Sequence, residues 1–444
     1  MPAAARPSWH PDRRWADSLI LLLALLALLA AGLTLQARRR SAGRPSERVS
    51  LQGRLVEVAL GGPELLLKRV GHTRDWTRAE AQLREPWDRA LLAVLRAELG
   101  DQPGPALPWI ERATPAGSGG ESFRRACLAA YASAPLPAGT DRAETHRRLG
   151  DGYAADLLEA RLQDRGSGGE ALRAQSRRAL LLRLAGLAGL GLLVLTAAAS
   201  GLALLIHLAV SPGQPRPLPE WTLSGRAASL VLLAWFLGFF LAGNLAGLLL
   251  APWPGLRWLS LPLGYALHAG LGLGLLCRAE GIGLRTLWHK VAPEPAGRDL
   301  AWGFAFLGLA VFLVLAVALV TGPLLSPDQS PQRDLHELLR GLRGWAPNVA
   351  LFLTITLLAP CFEELLFRGF LLPVLARRLP LAWALVLSAL LFGAIHLQPA
   401  GLPVLGTLGL ALGLAMHRTA SLRTPILVHA CWNGCQFLLL RAFA

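Results

Sequence analysis

The strongest constraint on the fold is a series of apolar segments, each long enough, or nearly long enough, to cross a lipid bilayer. They occupy residues 184–210, 227–251, 259–277, 300–321, 349–373, 381–396, 402–416 and 425–440. Hydrophobic residues make up 53% of the chain, so an ordinary soluble globule is excluded. Backbone polar groups inside a bilayer must be satisfied by helical hydrogen bonds or a closed barrel. The sequence therefore predicts an all-α, polytopic membrane bundle of about eight core spans.

The first part of the chain has a different composition. A further apolar run at about 16–37 follows Arg13 and Arg14 and ends at Arg38, and its flanks predict an uncleaved anchor rather than a signal peptide. The hydrophilic stretch that follows contains amphipathic patterns typical of helices. The predicted organisation is a membrane anchor at 1–40, a mostly helical extramembrane domain at 41–178, the first core helices at 179–345 and motif-bearing helices at 346–444.

Charge and cysteine content narrow the possible partners. The formal net charge is +15, but only Lys68 and Lys290 are lysines, and the arginines lie mainly at segment ends and in the hydrophilic domain. This distribution indicates membrane topology signals and no nucleic-acid partner. The five cysteines have neither a disulfide pattern nor zinc-finger spacing. The positive-inside rule gives conflicting sides for the 41–178 domain, so its side stays open.

Two adjacent carboxylates interrupt the apolar segment at 349–373. Glu363 and Glu364 are followed by Arg368, four residues after the second. On a helix, Glu364 and Arg368 are neighbours that can form a charge-assisted pair, while Glu363 points about 100° away. Intramembrane carboxylates are costly and therefore indicate a functional site with nearby partners. One glutamate is predicted to be held in a pair and the other to act as a general base or acid.

Two further polar motifs follow on the next apolar segments. Phe392 and His396 are spaced to share one helix face, and His429 and Asn433 have the same spacing on the last segment. An imidazole and a carboxamide on one face can orient a water, bind a metal or donate to an oxyanion. Each motif by itself is weak, because a lone intramembrane histidine is usually a packing residue.

Taken together, the motifs Glu-Glu-x-x-x-Arg, Phe-x-x-x-His and His-x-x-x-Asn resemble those of the CPBP family, which includes CAAX prenyl proteases and bacteriocin-processing or Abi proteins. The resemblance is firm over residues 347–436. It implies an intramembrane endopeptidase whose helices enclose a hydrophilic cavity, acting on a membrane-associated protein or peptide in a lipid bilayer. It also suggests a bacterial inner membrane.

The resemblance further implies roles for the polar residues. Glu363 is expected to activate the attacking water, with His396 sharing that task, and His429 and Asn433 are expected to stabilise the tetrahedral oxyanion. A base, a proton donor and oxyanion donors are what peptide hydrolysis requires.

The remaining motif residues have supporting roles in the same comparison. Glu364 and Arg368 are expected to form the pair that fixes the helix of the base, and Phe392 is expected to be a packing or substrate-side residue.

Participation of a metal is left open by the sequence. If zinc is bound, the expected ligands are Glu363, His396 and His429, which are the residue types of a catalytic zinc site. The chain lacks the compact His-Glu-x-x-His spacing, and in the metal-free alternative Glu363 is the base.

Two functions outside this enzyme class remain possible from the sequence. One is a non-catalytic membrane scaffold or a bacteriocin self-immunity protein that keeps the fold. The other is a transporter whose intramembrane charges line a pathway. The sequence shows no inverted repeat, and the polar residues are concentrated in one half of the chain, which disfavours transport.

Overall fold

A computed structural model describes residues 85–99, 106–132, 135–150, 152–163, 169–210, 217–293, 297–321 and 344–443, together with scattered single residues. All regular elements in these ranges are helices, which confirms the predicted all-α class for this part of the chain. The fold divides into two compact units, one formed by Met1–Ala42 with Leu193–Arg441 and the other by Gly43–Leu192 with Ala442–Ala444. Most of the predicted anchor at 16–37 lies outside the described residues, and the four domain limits remain predictions.

The described part of the hydrophilic unit contains five short helices that have defined bounds. They are α1 (Pro86–Leu99), α2 (Ala106–Ala113), α3 (Ser118–Tyr131), α4 (Arg142–Leu149) and α5 (Tyr153–Gln163). Their apolar faces bury Leu91, Phe123 and Leu158, and the rings of Trp87 and Phe123 meet edge to face at 5.9 Å between centroids. Since aromatic side chains contribute large apolar areas, this cluster stabilises the described part of the unit.

Besides two short 3-10 helices (Pro254–Leu259 and Pro399–Gly401), nine further helices follow in the described ranges. The first of the nine begins in the hydrophilic unit. They are α6 (Gly169–Val210), α7 (Gly225–Leu250), α8 (Ser260–Glu280), α9 (Leu284–Val291), α10 (Gly297–Thr321), α11 (Trp345–Ala376), α12 (Leu381–Ile395), α13 (Leu402–Thr419) and α14 (Arg423–Phe443). All eight predicted apolar segments are helical. They correspond to every helix of this series except α9.

Six helices in the described part of the chain are long and apolar enough to cross a membrane, and the protein is a multi-pass membrane protein. These are α6, α7, α8, α10, α11 and α13. The sequence predicted eight spans. The difference lies in α12, which has only 15 residues, and in α14, whose apolar surface is interrupted by the polar residues of the last motif.

Glycines allow the membrane helices to approach closely. A Cβ on Gly201 of α6 would collide with the backbone carbonyl of Gly308 on α10, and a Cβ on Gly308 would collide with Ser200. Such contacts between small residues are typical of helix pairs in membranes, where packing rather than water exclusion drives association. Elsewhere, α7 packs along α8, and α13 packs against both α10 and α12.

Helix α11 is irregular on both sides of the two glutamates. The stretches Thr354–Leu358 and Leu365–Leu371 have the wider π-helical register, while Ala359–Glu364 between them is α-helical. Pro360 and Pro373 lie within the same helix, and each lacks a backbone N–H. π-helical turns are rare and occur frequently at functional sites, so their presence indicates that α11 carries part of a functional site.

Candidate functional site

Glu364 and Arg368 form the buried ion pair that their spacing predicted, and this prediction is confirmed. Arg368 Nη1 donates to Glu364 Oε1 at 2.8 Å, and both side chains are 0% exposed. The second Arg368 nitrogen, Nη2, donates to the Gly409 carbonyl of α13 at 2.9 Å. The guanidinium also lies over the Phe392 ring, 4.4 Å from its centroid. The pair therefore ties α11 to α12 and α13 through a charge-assisted hydrogen bond, a backbone contact and a cation–π contact.

His429 of α14 bonds to the same carboxylate. Its Nδ1 lies 2.7 Å from Glu364 Oε1, and its Nε2 lies 3.9 Å from Glu363 Oε2. A carboxylate held by Arg368 is an acceptor, so the proton of this hydrogen bond belongs to His429 Nδ1. This contact fixes the ring with Nε2 directed toward Glu363. The sequence grouped His429 with Asn433, and its contact with Glu364 was not anticipated.

Glu363 lies at the wall of a cavity of about 470 Å³. Its Oε1 accepts a hydrogen bond from the Tyr265 hydroxyl of α8 at 3.4 Å. Its Oε2 is buried, and no donor among the described residues lies within hydrogen-bond distance of it. A buried acceptor without a donor is unfavourable unless a water or a ligand satisfies it. Glu363 is thus the carboxylate of the pair that is available to a molecule in the cavity.

Six aromatic side chains from α7, α8 and α11 line the cavity. These are Phe236, Phe239, Phe240, Tyr265, Phe362 and Phe367. The polar lining includes Glu363, His396 and Gln398, so the wall is more apolar than the hydrophilic cavity that the family resemblance implied. Cavities of this size are typical of ligand sites, in which a few polar groups orient a mostly apolar molecule.

His396 follows directly on the last residue of α12 and shares the cavity with Glu363. Its Nδ1 lies 2.8 Å from the Phe392 carbonyl oxygen, which can only accept, so Nδ1 carries the proton of this hydrogen bond. In the neutral ring, Nε2 is then the acceptor nitrogen. The predicted common face of Phe392 and His396 is confirmed, since their rings are 5.1 Å apart.

Phe392 occupies the centre of the site. Its ring is completely buried and meets the rings of Phe367, His396 and His429 edge to face, at 5.4, 5.1 and 5.6 Å between centroids. A flat, rigid ring in this place restricts the orientations of both imidazoles. Phe392 is thus a packing residue in this structure.

Asn433 lies one helical turn after His429 and bonds to α11. Its amide nitrogen Nδ2 donates to the Ile355 carbonyl at 3.0 Å. The amide has a second N–H, which this contact does not use. The side chain can therefore bind the backbone of α11 and still donate one hydrogen bond elsewhere.

The candidate zinc ligands do not form a three-ligand site. A catalytic zinc is held by three protein side chains at about 2.0 to 2.3 Å. No three His, Cys, Asp or Glu side chains within the described ranges are arranged so as to hold a metal ion. The residues present therefore do not fit the expected set of Glu363, His396 and His429.

Tyr265 is the site residue that the sequence reasoning missed. It belongs to α8, which precedes the motif region by many residues, and its contact with Glu363 depends on the packing of distant helices. A sequence signal does exist, because Tyr265 is one of only three tyrosines and lies inside an apolar span. A buried hydroxyl in such a span needs a hydrogen-bond partner.

The arrangement defines a class of protein: a multi-pass membrane helix bundle with an intramembrane carboxylate and imidazole site at an apolar cavity. Residues 345–435 match the family model for Rce1-like proteins, described as type II CAAX prenyl endopeptidase Rce1-like. This segment is therefore an Rce1-like CAAX prenyl endopeptidase domain, and the family recognised from the three motifs is confirmed. No curated protein and no solved structure matches the chain.

Proposed function

We propose that the protein is an intramembrane endopeptidase that hydrolyses a peptide bond of a membrane-associated protein, using a water activated by Glu363 and His396. The observation that carries this proposal is the buried Glu363 Oε2, a carboxylate oxygen at the cavity wall with no donor among the described residues. The endopeptidase family of residues 345–435 supports a protease with a protein substrate. CAAX-type processing is the corresponding substrate class.

The proposed reaction starts with a water held at Glu363. Glu363 takes one proton of the water as the oxygen attacks the peptide carbonyl carbon, and His396 Nε2 accepts a hydrogen bond from the same water. The tetrahedral oxyanion is stabilised by the second amide N–H of Asn433 and, in its imidazolium form, by Nε2–H of His429. Collapse of the intermediate breaks the C–N bond, and the proton on Glu363 passes to the leaving amine. The products are a carboxylic acid and an amine, and the attacking group is water, so the reaction needs no protein nucleophile.

The buried pair of Glu364 and Arg368 acts through its neighbours. Glu364 holds His429 by Nδ1, so the opposite nitrogen faces Glu363. Arg368 holds the Glu364 carboxylate in place through the 2.8 Å contact. These two residues position the reacting groups and do not touch substrate.

The proposal is tested by His396→Ala in membrane vesicles, with cleavage fragments of the membrane proteome identified by mass spectrometry. We expect the fragments to decrease by about 10²-fold or more, because a general acid–base group contributes at least that much. His289→Ala on α9 is the matched control, since this histidine is exposed and lies outside the cavity lining. If His396→Ala inserts normally and leaves every fragment unchanged, the protein is a non-catalytic membrane component.

Metal dependence is tested on the purified protein after prolonged chelation. Since the donor side chains do not form a three-ligand site, we expect hydrolysis to persist when zinc, measured by elemental analysis, falls far below one per chain. Loss of hydrolysis on chelation, followed by recovery on adding zinc alone, would assign Glu363 to metal binding instead of proton transfer.

A further inference from the structure

The backbone carbonyl of Ile355 lacks the donor that it would have in a regular α-helix. In a regular α-helix the Ala359 N–H would donate to the Ile355 carbonyl, four residues earlier. In this π-helical stretch it donates to the Thr354 carbonyl instead. The donor in the wider five-residue register would be Pro360, which has no N–H. A carbonyl left open inside an apolar bundle is costly, and an external donor must satisfy it.

Asn433 supplies that donor from α14. Its Nδ2 lies 3.0 Å from the Ile355 carbonyl oxygen. This bond has two consequences: it satisfies the open carbonyl, and it fixes the plane of the Asn433 amide. With the plane fixed, the direction of the second amide N–H is also fixed.

A second proline in α11 has a comparable arrangement. Pro373 cannot donate to Gly369, which lies four residues earlier, and the Gly369 carbonyl accepts a hydrogen bond from the Trp221 indole at 2.9 Å. The Trp221 and Phe370 rings meet edge to face nearby, at 5.1 Å between centroids. In both cases a carbonyl that the proline cannot serve accepts a hydrogen bond from a side chain in another part of the bundle. Only the first of these bonds involves a site residue.

We infer that Pro360 is a positioning residue for catalysis: by leaving the Ile355 carbonyl open, it fixes the Asn433 amide so that its second N–H is directed to the oxyanion. The inference rests on the proposed function, because the proposed function is what makes the second N–H of Asn433 a donor to the oxyanion. Pro360 itself touches no substrate and acts through Ile355 and Asn433.

The test is a double-mutant cycle of Pro360→Ala and Asn433→Leu, with thermal stability and steady-state kinetics measured on each variant. Leucine has a size similar to that of asparagine and cannot donate, and Asn433→Ala replaces it if the leucine variant does not insert. An alanine at position 360 supplies an N–H that competes for the Ile355 carbonyl. Pro373→Ala is the matched control, because it changes another interior proline of the same helix.

Stability tests the contact without reference to activity. Asn433→Leu is expected to lower the melting temperature in the natural background, and by less than half as much when residue 360 is alanine. Equal lowering in both backgrounds would show that Asn433 does not serve the carbonyl opened by Pro360, and would overturn the inference even if the protein is a protease.

Kinetics tests the positioning role. Pro360→Ala is expected to lower kcat about tenfold with KM little changed, and Asn433→Leu about 10²-fold, as for the loss of one oxyanion donor. The double variant should be no slower than Asn433→Leu alone, because both changes act on one group. Pro373→Ala should retain the natural kcat. Independent, multiplying losses would contradict the inference, whereas absence of hydrolysis by the natural protein would contradict the proposed function and leave the stability result standing.

Discussion

Glu363→Gln is expected to reduce peptide hydrolysis by about 10² to 10⁴-fold while the protein inserts and folds normally. Glutamine has the shape of glutamate, and its carbonyl oxygen can still accept the hydrogen bond from Tyr265. It cannot take a proton from water. The lost function is therefore proton transfer alone, and hydrolysis by the purified variant in lipid vesicles measures it.

The size of the loss distinguishes a base from a binding group. A general base contributes to kcat, so substrate affinity should change little in the glutamine variant. Asn244→Ala is the matched control, because Asn244 lines the same cavity and its amide nitrogen donates to the Phe240 carbonyl within α7. Should Glu363→Gln and Asn244→Ala lose activity to the same modest extent, Glu363 is a lining residue and the proposed mechanism is wrong.

The sequence predicted the membrane helices well because hydropathy and length determine them directly. Predicted segments such as 227–251 and 402–416 agree with α7 and α13 to within a few residues. The contact of Glu364 with Arg368 could be predicted equally well, since helix geometry places residues four apart on one face. Both predictions depend on interactions local to one helix.

Contacts between different helices could not be predicted from the sequence in this way. Glu363 meets Tyr265 because α8 packs against α11, and neither helix period nor spacing encodes that packing. The partner of His429 depends on a similar long-range contact. The π-helical register of α11 was also not predicted, although Pro360 is visible in the sequence. A proline indicates a missing N–H, but the register around it is decided by packing.

The two adjacent glutamates therefore differ for a reason that combines both kinds of information. Their separation by about 100° follows from any helix. Glu364 is the paired carboxylate because it contacts the buried Arg368, and Glu363 is the available one because it lines the cavity. This difference leads to opposite expectations for the two residues when each is neutralised.

Glu364→Gln is expected to destabilise the protein by about 3 to 5 kcal/mol, because it leaves the buried Arg368 without a counter-charge. Thermal unfolding in detergent measures this loss. Glu363→Gln leaves no buried cation without a counter-charge, so it should not cause this loss of stability. Similar melting temperatures for the two variants would contradict the division of roles between the glutamates.

Two double variants separate the charge of Glu364 from its contact with His429. Glu364→Met with Arg368→Met removes both charges, and replacing a buried pair by apolar residues is often neutral or stabilising, so stability should return. Glu364→Gln with Arg368→Met also removes both charges but keeps an acceptor for His429 Nδ1. If Glu364 acts by fixing His429, the glutamine variant retains substantially more kcat than the methionine variant at similar stability. Equal kcat in both would limit Glu364 to neutralising Arg368, and the orientation of His429 would then have to come from its packing against Phe392.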